Sequence, residues 1–217
     1  WDVDAITFND DVTTGALELF RNIVQGDKSF AWLNDSVRNQ IHAAFERGLK
    51  MVLDCQVRQR GVKTAWAQQH DNITLQPVKA RTFELPAITA NESCEILLFL
   101  MGIKNPSPEV VEAIHCGVKW LRQVQIKDVK LKRVPLTPDQ IINHEYPYDL
   151  VVVKDLKAEP IWARFYEVTN NKPFMCTRSG KKVWRLADVD PERRTGYDWY
   201  GYWPKKVFEA YAKFISR

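Results

Sequence analysis

Arginine beside aromatic rings is the recurring chemical pattern of this chain. Arg81-Thr82-Phe83-Glu84, Arg164-Phe165-Tyr166-Glu167, Arg178 and Arg193-Arg194-Thr195-Gly196-Tyr197 carry it. A guanidinium fork matches a carboxylate in two-point contacts. An aromatic ring fills a core or stacks on a sugar face. Together with the dense run Trp199-Tyr200-Gly201-Tyr202-Trp203, these segments suit a groove for a carboxylated sugar chain. Asn9-Asp10-Asp11 gathers amide and carboxylate oxygens of the kind a hard cation such as calcium takes. The same residues also suit a helix N-terminus, capping it and complementing its dipole. Their spacing is not that of an EF-hand loop. His70-Asp71 offers a base beside an orienting carboxylate. Neighbours in extended chain point to opposite faces, however, so a hydrogen-bonded structural histidine fits equally. His42, His115 and His144 have no partner at a metal-ligand spacing. No GxSxG, P-loop, GxGxxG or HExxH pattern occurs, which leaves serine-hydrolase, nucleotide-binding and zinc-protease readings without support.

Helices must position these groups in the first half of the chain. One is expected from about Asp11 to Gln25, with cap oxygens from Asn9 and Asp10 and an apolar stripe of Val12, Ala16, Leu19, Phe20 and Ile23. A second is expected from Ser36 to Gln59, capped by Asn34, Asp35 or Ser36 and stopped at Gly61, and pairing with the first as an antiparallel hairpin. Residues 62–90 have no helical period. A long, polar and aromatic loop of this kind is functional when ordered. A third helix starts near Asn91 and ends at Gly102. Ser107, Pro108 and Glu109 open a fourth. Strands follow at Ile126–Val134, Leu150–Val153, Ile161–Glu167, Phe174–Thr177 and Val183–Trp184, with a tight turn at Ser179-Gly180. The proline-marked stretch 135–149 reads as an irregular insertion. A last helix runs from Lys205 to Ser216.

The 217 residues fit a single domain over 1–217, long enough to bury a core without staples. With 45% hydrophobic residues spread along the chain, disorder is excluded as the main state. The longest apolar run, Ile96 to Met101, is far short of the ~20 residues that span a bilayer, so no membrane partner is expected. Net charge is +4. The densest basic run, Lys127 to Arg133, alternates with Val129 and Leu131 and reads as a strand with a solvated face, so no nucleic-acid partner is expected. Cys55, Cys94, Cys116 and Cys176 form no CxxC pair, which argues against a zinc cluster. No signal peptide is recognisable in the chain.

Several segments carry a family resemblance. Ile6-Thr7-Phe8-Asn9-Asp10-Asp11 resembles the ITFNDD motif of family 10 polysaccharide lyases, the pectate lyases. Cys55-Gln56-Val57-Arg58-Gln59 resembles their TQVRQ turn. Thr64 to Asp71 resembles TVWCAQHD, with Ala67 and Gln68 in place of Cys and Ala. Ala80 to Pro86 resembles ARAYELP. Trp162 to Glu167 and Glu192 to Tyr197 match WARFYE and ERRTGY.

This resemblance implies a mainly α fold, an incomplete (α/α) toroid of helix hairpins with short strands and long loops lining an open groove. It implies calcium-dependent cleavage of polygalacturonate by anti-β-elimination, with Arg81 as the base and Arg164 in reserve. Asp10 and then Asp11 would bind Ca2+. Arg164 and Arg178 would clamp substrate carboxylates, and Asn9, His70, Tyr166 and Tyr197 would line the groove. A secreted or periplasmic location follows from the same resemblance. Family domains carry a further helical section before ITFNDD, with another calcium aspartate. A chain lacking it would pair with a second copy or with that section, and could hold pectate without cleaving it. The expectation is thus an active lyase or a truncated, non-catalytic pectate-binding module.

Overall fold

The computed structural model describes residues 5–216. In chain order the elements are β1 (Ala5–Thr7), α1 (Val12–Val24), α2 (Asp35–Asp54), β2 (Arg58–Gln59), β3 (Val62–Lys63), β4 (Gln69–Asp71), β5 (Ile88–Thr89), α3 (Ala90–Met101), α4 (Pro108–Gln123), β6 (Val129–Pro135), β7 (Tyr148–Lys154), β8 (Trp162–Ala163), β9 (Phe165–Tyr166), β10 (Pro173–Cys176), β11 (Lys182–Val183), α5 (Pro191–Thr195), β12 (Tyr200–Gly201) and α6 (Pro204–Phe214). Helices supply most of the core, and every strand except those of the β6–β7 hairpin is short.

The α1–α2 and α3–α4 pairs pack as expected from the apolar stripes. Their caps are only partly those read from the sequence. Asn34 accepts from Val37 N at 2.9 Å and Ser107 from Val110 N at 3.3 Å. No side chain caps α1: Asp10 and Asp11 instead occupy left-handed backbone, φ 54° and 56°. Helix α2 also ends at Asp54, before the expected Gln59. There the backbone leaves the helix to bond with its own return strand, Val57 N to Ala65 O at 2.9 Å and Thr64 N to Val57 O at 2.8 Å.

Helix α3 is almost wholly buried, and its Phe99 and Leu100 join Trp66 and Trp120 in the main core. A second core gathers Phe83, Phe165, Phe174, Leu186 and Trp199 around the sheet ordered β11-β10-β9-β5. Residues 64–87 run between the two. The two ends of this segment, residues 64–70 and 83–87, carry the buried residues, while residues 71–82 lie at the surface. The buried start is tolerated because its polar groups are satisfied. Trp66 N donates to Ser93 Oγ at 2.9 Å, Trp66 Nε1 to Val52 O at 2.7 Å, and Thr89 N to Trp66 O at 2.8 Å. The stretch 135–149 proves to be largely the tip of the β6–β7 hairpin, whose register runs from Val129↔Lys154 to Pro135↔Tyr148. Cys55, Cys94 and Cys176 are buried, Cys116 is half-buried, and all four cysteines are free. No helix among the described residues is long and apolar enough to cross a membrane.

Ser93→Ala would strand the buried Trp66 N–H without its acceptor. The expected cost is about 1–3 kcal/mol, read as a lower urea midpoint at unchanged slope.

Candidate functional site

An open cleft of about 540 Å³ lies where the two cores meet. Its walls include Asp10, Arg81, Arg164, Arg178, Arg193 and Tyr197. Four guanidinium groups around one cleft repel one another unless something holds them, and two buried carboxylates hold two of them. Glu84 accepts from Arg81 through both oxygens, Nε to Oε2 at 2.8 Å and Nη2 to Oε1 at 2.6 Å, and from the Tyr197 hydroxyl at 2.8 Å. Burial opposes ionisation of Glu84, but these donors override it and hold its carboxyl below the usual range. Glu92, in the first turn of α3, accepts from Arg164 Nη2 at 2.5 Å and from Gln68 Nε2 at 3.1 Å. Gln68 also reaches Asn9 Oδ1 and the Tyr197 hydroxyl, each at 3.4 Å. The Arg164 Nε and Glu92 Oε2 atoms are buried with no protein partner.

Local backbone explains these placements. Arg81 sits on a tight turn closed by Glu84 N to Arg81 O at 2.9 Å and Ala80 N to Glu84 O at 3.0 Å. Gly180, φ 86°, lies under that turn: a Cβ there would come within 2.6 Å of Thr82 O. Arg164 is fixed between β8 and β9 by Arg164 N to Trp199 O at 2.8 Å and Ala90 N to Arg164 O at 3.0 Å. Arg178 is exposed and lies 3.6 Å from Glu192. Arg193, on α5, stacks on Phe83 and Tyr197 with its guanidinium carbon 4.3 and 5.0 Å from the ring centres. Its environment lowers its proton affinity, first by burial and then by the nearby Arg178 charge. The Glu84 pair raises that of Arg81. For Arg164 burial, the largest single effect, is outweighed by Glu92, Tyr197 and Glu84 together, which raise it. The arrangement can take carboxylates from solvent on forks whose planes are already fixed.

The family model of pectic acid lyases matches residues 3–208. The chain belongs to the pectic acid lyase family. Among solved structures it is similar to the family 10 polysaccharide lyase from Cellvibrio cellulosa, with 28% identity and a TM-score of 0.82 over 98% of this chain and 63% of that one. An aspartate-to-alanine mutant of that enzyme in complex with trigalacturonic acid gives 28% identity and a TM-score of 0.81 over 97% of this chain and 63% of that one. This chain thus spans less than two thirds of the length of these relatives. No curated protein sequence matches it.

Of the residues expected to bind ligand in this pectic acid lyase domain, Arg81, Arg164, Arg178, Tyr197 and Asp10 share the cleft. Asn9 is buried beneath it, on Gln68. Asn9 therefore does not line the groove, and two further expectations are corrected. His70 is 0% exposed and cannot line a groove. It accepts from Ala67 N at 3.1 Å through Nε2 and bonds Leu75 O at 2.9 Å through Nδ1, and burial lowers its proton affinity, so it is a neutral strut of its own loop. Asp71 is turned away, accepting from Ile73 N and Thr74 N. Tyr166 is buried against Trp120, with its hydroxyl spent on Val124 O and Ala163 N, each at 2.9 Å. Glu84, Glu92 and Gln68 were not singled out by sequence reasoning. The three-residue spacing of Arg81 and Glu84 was the one available signal. The Glu92–Arg164 pair joins residues 72 apart and left none.

Calcium has only part of a site here. Asp10 and Asp11 are exposed and carry the hard oxygens the ion prefers. Partial burial, Glu92 and Asp10 together raise the Asp11 proton affinity, the mark of crowded negative charge. Yet among the described residues no three His, Cys, Asp or Glu side chains gather as a metal cage. Among the described residues, then, Asp10 and Asp11 alone do not supply the six to eight oxygens the ion takes.

Because the folded state lowers the Glu84 proton affinity, its stabilisation is complete above the ordinary glutamate range, ~4.3, and fades as pH falls through the folded value. Glu84→Gln is expected to lose about 1.5–3 kcal/mol at neutral pH. The gap from the unsubstituted protein should narrow in acid, as measured by denaturant midpoints across pH.

Proposed function

We propose that this cleft binds a chain of galacturonate units and cleaves it by anti-β-elimination. The observation that carries the reading is the set of four arginines around one cleft, two of them fixed by buried carboxylates. Family membership and the trigalacturonic acid complex of the Cellvibrio mutant support the same ligand class. The whole would be an incomplete (α/α) toroid of helix hairpins.

Arg164, Arg178 and Arg193 would take substrate carboxylates, while Phe83 and Tyr197 close the floor. The base removes the proton on C5, α to the uronate carboxylate. The electron pair forms the C4–C5 double bond, the C4–O bond breaks, and the departing oxygen takes a proton from water. Arg81 is the proposed base. Glu84 engages its Nε and Nη2 and so fixes the guanidinium plane at the cleft wall. That pair also keeps Arg81 charged at rest, so turnover should need alkaline pH. A second reading makes Arg193 the base, because its surroundings lower its proton affinity. Ca2+, when bound, would acidify the C5 proton by neutralising the adjacent carboxylate. Asp10 and Asp11 would contribute to its shell, with the remaining oxygens supplied by uronate and water.

Near-ultraviolet absorbance on polygalacturonate is expected to rise at alkaline pH with calcium and to stop on adding chelator. Arg81→Ala should cut the rate by about 10²-fold or more while keeping trigalacturonate binding. Retained turnover in Arg81→Ala with loss in Arg193→Ala would transfer the base role to Arg193. Binding by a folded protein that gives no absorbance rise would establish the non-catalytic module instead.

A further inference from the structure

The β6–β7 hairpin brings to the cleft a wall that belongs to neither core. It is latched rather than free. Asp149, at the start of β7, accepts from Arg194 Nε at 2.8 Å and pairs with Nη2 at 2.7 Å, and His144 Nε2 lies 3.7 Å from the same carboxylate. Arg194 Nη1 also donates to Val189 O at 3.1 Å. The residue before it is Arg193, so the latch ties the hairpin directly to α5. Leu131 and Leu150 pack on the second core, and Leu136 N to Pro147 O at 3.2 Å closes the neck of the tip.

So anchored, the tip presents Glu145 and Tyr146 to the cleft. The Glu145 carboxylate lies directly over Gly196, where a Cβ would collide with its Oε2. Four arginines line the same cleft, yet Glu145 forms no ion pair among the described residues. Asp10 and Asp198, the other carboxylates of the lining, come from the body of the domain. Tyr146 stacks on Tyr148 at 5.5 Å and 24° and remains 42% exposed.

We propose that Glu145 and Tyr146 make this side of the cleft selective for an uncharged sugar unit, such as a methyl-esterified galacturonate, beside the arginine-held uronates. The proposal rests on the uronate-chain reading above. An unpaired carboxylate repels a uronate carboxylate brought against it and does not repel its ester. An exposed tyrosine face accepts the C–H face of a sugar and its ester methyl. The hairpin therefore sets a pattern: acid where a guanidinium waits, ester where Glu145 does.

The test compares trigalacturonate with its singly methyl-esterified forms, by calorimetric binding in chelator and by lyase kinetics with calcium. The unsubstituted protein should favour one singly esterified form. Glu145→Gln should move that preference about tenfold towards the fully acidic trimer, in Kd and KM and not in kcat. Glu145→Asp, which keeps the charge, should retain the original preference. An unmoved ratio in Glu145→Gln, or weaker binding of the acidic trimer, overturns the proposal. If the unsubstituted protein binds neither trimer, the uronate reading falls with it; if it binds both and the ratio stays fixed, this inference alone fails.

Discussion

The buried Glu92–Arg164 pair is the interaction on which the rest of the site depends. Taking two charges out of water costs several kcal/mol per ion, and only good geometry with further hydrogen bonds recovers it. Here the pair joins the first turn of α3, a buried helix of the main core, to the β8–β9 segment that borders the second. The cleft is the seam between the two cores, and this pair crosses it. Gln68 extends the network to Asn9 and Tyr197, and Tyr197 extends it to Glu84 and Arg81. One connected polar system thus orients two guanidinium groups before any ligand arrives. Such preorganisation lowers the ordering cost of binding.

A site built this way needs its loops to be as rigid as its helices. The loop over residues 64–87 meets that need at its two ends. Ala65 and Trp66 are buried in the main core and Phe83 and Ala87 in the second, while Ser93, Val52 and Thr89 take up the backbone and indole groups of Trp66. The neutral His70 does the same within its own loop. The β6–β7 hairpin stands apart: largely exposed, and attached chiefly through Asp149, Arg194 and two leucines.

What the sequence made legible follows from how local each signal was. Ser107-Pro108-Glu109 announced α4, and the stripes of α1 and α2 announced their pairing, because capping and periodicity act within a few residues. The end of α2 was misread because Val57 and Ala65 bond across a return that helical spacing cannot show. Asp10 and Asp11 looked like cap residues, but both take left-handed backbone and no side chain caps α1. Arg81 and Arg164 were visible by type and by motif, Arg178 by type alone. Their holders were not, since Glu92 lies far from Arg164 in the chain. Tyr166 and Tyr197 are both tyrosines next to site arginines in motif segments. Packing against Trp120 in one case and a hydroxyl reaching Glu84 in the other decided which one meets the cleft.

The most direct test of this account is a crystal structure of the chain with trigalacturonate bound. The account predicts uronate carboxylates on the outward faces of Arg164, Arg178 and Arg193, with the Glu84–Arg81 and Glu92–Arg164 pairs intact. A ligand seated in the apolar pocket of about 480 Å³ lined by Val152, Trp184 and Tyr200, or bound in the cleft with those pairs broken, would contradict it.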